Sequence, residues 1–320
     1  MVEPLKLSPL GFGCASVMGK VGKAESLRAM AVAHSMEITH FDVARSYGFG
    51  HAERVVGEFL RGRRDKVTLT TKFGVVPPNL SLRSRLMIPV VRQISRRLPA
   101  LRRSLRRKSG ELSSGIRFDK AYLNSCLEES LRELGTDYID IYLLHEPPSL
   151  SSTDAHEIVS TLQDHVTAGK LRRWGIAYRT PADHAWAHQL NPQIVQMEGN
   201  MATIDQVVPI LHDSRQRIIT RPFMGGSQIH TAWIRELLRD GEGADAAMLE
   251  PSDGLAISIS LAKYFAGPLG TVLCSMYSPA HIRENVRLME SVGRDDRIGK
   301  IVQSLVSRGL NPRLGAAVTQ

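Results

Sequence analysis

Four residues able to hold or move a proton stand within, at the end of, or just past short apolar runs. Asp42 lies inside His40-Phe41-Asp42-Val43-Ala44, and Tyr47 follows in the glycine-rich stretch Ser46-Tyr47-Gly48-Phe49-Gly50. Lys72 closes Val67-Thr68-Leu69-Thr70-Thr71, and His145 closes Tyr138-Ile139-Asp140-Ile141-Tyr142-Leu143-Leu144. Runs of this kind read as buried parallel strands. A carboxylate in such a strand is costly to bury unless a cation pairs with it, and Lys72 is the candidate. A phenol of pKa near 10 is a weak acid at neutral pH, and a nearby ammonium stabilises its phenolate. Tyr47 is thereby a candidate proton donor, with Asp42 holding Lys72 charged and His145 placed to hydrogen-bond a carbonyl oxygen. Singly, each residue has an ordinary explanation: a turn tyrosine, a core ion pair, a satisfied histidine before Pro147-Pro148. Gathered at the same ends of successive strands, the four point to chemistry on a carbonyl or alcohol.

The elements that must position them alternate along the chain. Strands are expected over 7–14, 40–44, 67–72, 138–145, 171–177, 193–197, 217–222 and 270–275. Helices are expected over 25–36, from Ala52 to Leu60, and over 120–134, where Asp119 is the N-cap and Gly135 the stop. Another opens at Thr153 or Asp154 and runs to about Ala168, before Gly169. Further helices are expected over 181–190, 204–213, 252–265 (after a Gly/Asp-rich break) and 279–290, with a partly helical tail. Eight strands alternating with helices, without a break in composition, predict an α/β protein: a (β/α)8 TIM barrel, one domain over 1–320 with its site at the C-terminal ends of the strands.

The net charge of +9 invites a search for its source. Ten basic residues and no acidic ones lie between Arg83 and Lys108, so that segment exceeds the whole surplus and leaves the remainder at −1. It belongs to a long basic insert, 74–118, after the third strand. Met87, Val91, Ile94, Leu98, Leu101 and Leu105 recur there at spacings of four and three, which predicts an amphipathic helix interrupted at Pro99. Three readings stay open: a solvated flap, an active-site lid that attracts anions, or a contact with nucleic acid or an anionic membrane surface. Nucleic acid is not expected, since the segment lacks aromatic residues for base stacking. Cys14, Cys126 and Cys274 are scattered, without CxxC, and the histidines show no metal spacing, so neither disulfides nor a metal is expected. No apolar run reaches the ~20 residues of a membrane span. The start, MVEPLKLSPLGFG, lacks a signal-peptide pattern. A cytoplasmic protein, monomeric or weakly oligomeric, is the expectation.

The chain resembles the aldo-keto reductase superfamily over nearly its whole length. The resemblance is carried by Leu10-Gly11-Phe12-Gly13, by Phe41-Asp42-x-Ala44-x-x-Tyr47-Gly48 with Glu53 and Gly57 behind it, and by Thr71-Lys72. It continues in Leu131-x-x-Leu134-Gly135-x-Asp137-Tyr138 and in Asp140-x-Tyr142-Leu143-Leu144-His145. It implies an NAD(P)-dependent oxidoreductase interconverting an alcohol and a carbonyl (an aldehyde, ketone or sugar), with Asp42, Tyr47, Lys72 and His145 as the catalytic set. No side chain supplies a hydride, so a cofactor must. No Rossmann glycine fingerprint is present, and such proteins hold NADPH or NADH across the barrel mouth instead. The resemblance sets Gln196 against the carboxamide and Thr220 and Arg221 beside the cofactor. Ser275, Met276, Ser278, His281, Glu284 and Asn285 fall around its adenosine phosphate end. Three positions depart from the common pattern: Ala177-Tyr178 replaces Ser-Asn, Thr220 stands where a stacking tyrosine is frequent, and His281 where an arginine often meets the 2′-phosphate. Weak discrimination between NADPH and NADH is therefore expected, with NADP favoured. The alternative is a nucleotide-binding regulatory or scaffolding barrel with little turnover.

Overall fold

The computed structural model describes residues 3–78, 115–223 and 253–309. Eight strands close into a parallel barrel in sequence order, each paired with its neighbours and the last with the first. They are β1 (Leu10–Gly13), β2 (His40–Asp42), β3 (Thr68–Phe73), β4 (Ile139–His145), β5 (Leu171–Ala177), β6 (Ile194–Glu198), β7 (Gln216–Thr220) and β8 (Thr271–Cys274). The α-helices are α1 (Lys23–Ser35), α2 (Ala52–Leu60), α3 (Lys120–Leu134), α4 (Ser152–Thr167), α5 (His184–Ala187), α6 (Ile204–Val207), α7 (Asp253–Ala266), α8 (Pro279–Ser291) and α9 (Asp296–Gly309). The expected (β/α)8 architecture is present.

Strand alternation divides the core in two. Ile141, Leu143, Ala177, Ile194, Ile218 and Leu273 fill the barrel, with Leu5 and Leu7 packed against them from the N-terminal segment. The residues between them face the helices, as Phe41 does against Phe59 of α2, with ring centroids 4.7 Å apart. Close approach sets one glycine: a Cβ at Gly57 on α2 would lie 2.4 Å from the Glu133 carbonyl of α3.

Local chemistry sets most helix ends. Asp119 caps α3 by accepting the Tyr122 N–H, and Gly135 stops it in the left-handed region at φ 64°. Ser151, rather than Thr153 or Asp154, caps α4, its hydroxyl accepting the Asp154 N–H. A serine two residues before Thr153 offers an equivalent hydroxyl, so Thr153 and Asp154 join the first turn. The helix expected over 204–213 is one α-turn, α6, between 3₁₀ turns at Met201–Thr203 and Val208–Ile210. Pro209 removes an N–H there. The strand expected to reach Pro222 stops at Thr220, because Arg221 turns to φ 53°.

The chain leaves β3 through Gly74 and returns antiparallel beside itself: Val76 N donates to Gly115 O and Arg117 N to Gly74 O. The arginine-rich segment of 83–108 with its expected helix, the Gly/Asp-rich break before α7, and the tail beyond 309 lie outside the described residues.

Candidate active site

The C-terminal ends of β2, β3, β4 and β6 bring Asp42, Lys72, His145 and Gln196 to one end of the barrel interior. Asp42 and Lys72 are almost fully buried. Lys72 Nζ lies 2.5 Å from Asp42 Oδ1 and also donates to the Val43 carbonyl at 3.1 Å. The second carboxylate oxygen, Asp42 Oδ2, accepts from Gln196 Nε2 at 2.7 Å. Burial works against the lysine charge, but Asp42 and then Tyr47 together outweigh it and hold the ammonium above its ordinary pKa. Lys72 therefore stays protonated as a fixed cation at the barrel mouth.

Tyr47 begins a 3₁₀ turn, Tyr47–Gly50, in the loop after β2. Its ring centroid is 5.2 Å from Lys72 Nζ and 5.8 Å from the His145 ring, which it meets edge-on at 83°. Burial raises the phenol above its usual value, and Lys72, opposing it, lowers it. The balance is upward, against the sequence-based expectation of a lowered pKa, because desolvation of the phenolate outweighs the ammonium here. His145 is held neutral, at about 3, by burial and then by the Lys72 charge. A neutral imidazole beside a fixed cation donates one hydrogen bond without carrying charge.

The residues the resemblance set around a cofactor are spread along the mouth from β6 to α8. Gln196 is buried, and because a carboxylate only accepts, its NH₂ must face Asp42, which leaves its carbonyl as the acceptor. Thr220 Oγ1 donates to Met197 O at 3.2 Å, and the exposed Arg221 reaches Glu198 Oε2 at 3.3 Å. Ser275 Oγ is 3.4 Å from Gly13 O, linking the exits of β8 and β1. Ser278 caps α8 by accepting the His281 N–H, with His281 and Glu284 exposed on the first turns. Met276 and Asn285 are turned inward: the Asn285 amide donates to Met276 Sδ at 3.5 Å, and Met276 is fully buried. Ala177 is the last residue of β5, and the Tyr178 ring packs edge-on against His184 at 6.1 Å.

Sequence reading gave no role to Arg45, which leaves the β2 strand toward α2, or to the hydroxyl of Thr71. Arg45 Nη1 donates to Glu53 Oε2 at 2.9 Å, its Nη2 lies 2.6 Å from Glu129 Oε2, and Thr71 Oγ1 donates to Glu53 Oε1 at 2.6 Å. The signal was an arginine directly after the apolar run that ends at Ala44, with a glutamate eight residues on at the start of a helix. Tyr277 Oη donates to Gly13 O at 3.0 Å and its ring meets Phe12 edge-on at 5.2 Å, a further tie between the β8 and β1 loops.

A closed parallel barrel thus carries a cation, a carboxylate, a phenol and a neutral imidazole together at its C-terminal end. A family model for the aldo/keto reductase family matches residues 9–212, and the chain belongs to that family. It is 27% identical over 249 residues to Probable aldo-keto reductase 1 from Glycine max, covering 71% of this chain and 62% of that protein. It is 30% identical over 180 residues to methylglyoxal reductase YeaE from Escherichia coli, covering 56% of this chain and 46% of that protein. The chain thus spans about half to two thirds of these relatives' lengths. Among solved structures, an aldo-keto reductase from Klebsiella pneumoniae in complex with NADPH superposes with a TM-score of 0.62 at 20% identity, covering 94% of this chain and 92% of that one. The holo form of an aldo-keto reductase from Bacillus halodurans gives 0.66 at 20% identity over 94% and 93%. These two likenesses share the fold.

Proposed function

We propose that this chain is an NADP(H)-dependent oxidoreductase that interconverts a small carbonyl compound and its alcohol, with Tyr47 as general acid or base. The observation that carries the reading is the buried Lys72–Asp42 pair at 2.5 Å with the Tyr47 ring 5.2 Å from its ammonium. A relative named methylglyoxal reductase and a structural neighbour in complex with NADPH support the reaction class and the cofactor.

The residues present fit a nicotinamide cofactor. Gln196 offers a carbonyl acceptor whose orientation Asp42 fixes, suited to a carboxamide NH₂. Ser275, Ser278, His281 and Glu284 offer polar groups along the mouth toward α8, and Thr220 and Arg221 do so after β7; Met276 and Asn285 would contribute through the loop's shape, their side chains being packed inward. A bound nicotinamide cofactor would supply or accept the hydride.

The chain's own residues do the rest. His145 donates a hydrogen bond to the substrate oxygen and sets the carbonyl between itself and Tyr47. Tyr47 Oη passes its proton to that oxygen as negative charge develops there, and the phenolate left behind is stabilised by Lys72. Asp42 holds Lys72 charged throughout. In the oxidative direction the Tyr47 phenolate, stabilised by Lys72, takes the alcohol's proton and becomes the phenol again.

A steady-state screen of aldehydes, ketones and sugars with NADPH and NADH, run beside Tyr47→Phe, tests the reading. Turnover of some carbonyl that Tyr47→Phe abolishes supports it. Nucleotide binding without turnover of any substrate would replace it with a binding or regulatory barrel.

A further inference from the structure

The loop carrying Tyr47 adopts a shape that its glycines permit and its phenylalanine resists. Gly48 and Phe49 are consecutive left-handed residues, at φ 57° and 59°, and Gly50 follows at φ 85°. A phenylalanine in that region is a strained conformer that persists only where the surroundings over-determine it. On one side the loop abuts the β1 loop, where a Cβ at Gly48 would lie 2.4 Å from Val17 O. On the other side stands a buried ionic network.

Arg45 and Glu53 flank the loop, eight residues apart, and close it with the 2.9 Å contact between Nη1 and Oε2. The network reaches β3 through Thr71 Oγ1, 2.6 Å from Glu53 Oε1, and α3 through Glu129. Arg45 N also faces the Lys72 carbonyl at 3.4 Å. Thr71 and Lys72 are neighbours on one strand, so their side chains leave it in opposite directions. One therefore fixes β3 against the clamp while the other presents the cation to Tyr47. Arg45, Glu53 and Thr71 are all buried and packed on the helix side of the barrel wall. A buried ion pair is weak evidence for stability, since apolar residues of equal volume serve as well or better.

We infer that the Arg45–Glu53 pair, joined to Thr71, is a positioning device that sets Tyr47 against Lys72. It is built into the β2–α2 loop and acts on proton delivery without touching substrate or cofactor. The inference rests on the proposed pairing of Tyr47 with Lys72 as the proton-delivering unit.

The test uses Thr71→Val, which removes one hydroxyl, Thr71→Ser, which keeps it, and Arg45→Lys, whose single point charge does not span Glu53 and Glu129 together. Readouts are kcat, KM, the pH profile of kcat, and NADPH affinity by quenching of protein fluorescence. Misplacement of a reacting group by about an ångström costs up to ~100-fold, so Thr71→Val and Arg45→Lys should lower kcat about 10- to 100-fold. They should also displace the pH profile and leave NADPH affinity within about twofold, whereas Thr71→Ser, which keeps the hydroxyl, should retain the wild-type kcat and pH profile. Should Arg45→Lys fail to fold, Thr71→Val carries the test alone. An unchanged kcat and pH profile in Thr71→Val would overturn the inference, and so would an NADPH affinity that falls in step with kcat. If instead Tyr47→Phe retains the wild-type rate, the reading of Tyr47 as the acid has failed, which is a separate outcome.

Discussion

Gln196 Nε2 donates to Asp42 Oδ2 at 2.7 Å, across the barrel and 154 residues along the chain, while the other oxygen of the same carboxylate holds Lys72. One buried carboxylate thus orients both the cation beside Tyr47 and an amide at the mouth. Gln196→Glu would set a second carboxylate against Asp42, and Gln196→Leu would remove the acceptor altogether. A hydrogen bond of this kind is worth about 0.5–1.5 kcal/mol, so Gln196→Leu should weaken NADPH binding by up to about tenfold. Gln196→Glu should weaken it more. Fluorescence titration measures both, and equal affinities in wild type and Gln196→Leu would remove Gln196 from the cofactor site.

Tyr47→Phe deletes one hydroxyl and little packing. If the phenol delivers the proton, kcat should drop by about 10²–10⁴, with nucleotide affinity changing far less. Lys72→Met should act similarly, and the double variant should be little worse than either, because the pair works as one unit. Additive losses in single-turnover kinetics would mean that the two residues serve different steps.

Two buried histidines tie stability to pH. Burial depresses His145 to about 3 and His40 to about 4, from an ordinary value near 6.5. Below about 6.5 the unfolded chain binds protons at these sites that the folded chain does not, so stability falls as the pH drops from there toward 4. Each histidine contributes up to about 1.4 kcal/mol per pH unit over that window. Urea melts at pH 7.5, 6.5, 5.5 and 4.5 should show the decline, and His40→Gln should flatten it. A constant midpoint across that range would contradict the neutral assignments.

Gly57→Ala tests the contact between α2 and α3. The new methyl would meet the Glu133 carbonyl at 2.4 Å, and backbone on both helices leaves little room to yield. Overpacking of this kind costs about 1–3 kcal/mol, so the melting temperature should fall although alanine is the better helix former. An unchanged melting temperature would mean that the two helices separate freely. Since α2 follows the Tyr47 loop, kcat should drop as well.

The sequence by itself determined which side chains share an end of the barrel. Strand polarity and period-two alternation suffice for that: Asp42, Lys72 and His145 each fall at the C-terminal part of an apolar run, and the alternation of runs with helical stretches orders the barrel. These are local rules, carried by a few neighbouring residues, although only the structure ends β2 at Asp42 rather than at Ala44. Only the tertiary structure decided that β6 closes round to lay Gln196 on Asp42, that Arg45 finds Glu53 on α2 and Glu129 on α3, and that Thr71 of β3 finds the same Glu53. It alone decided that Met276 and Asn285 turn inward and that Tyr178 packs against His184. It also set the sign of the Tyr47 shift: an ammonium nearby lowers a phenol, but burial raises it, and burial won. The distance across a closed barrel and the water excluded from its mouth are sums over all eight strands and their loops, so no single stretch of sequence encodes them.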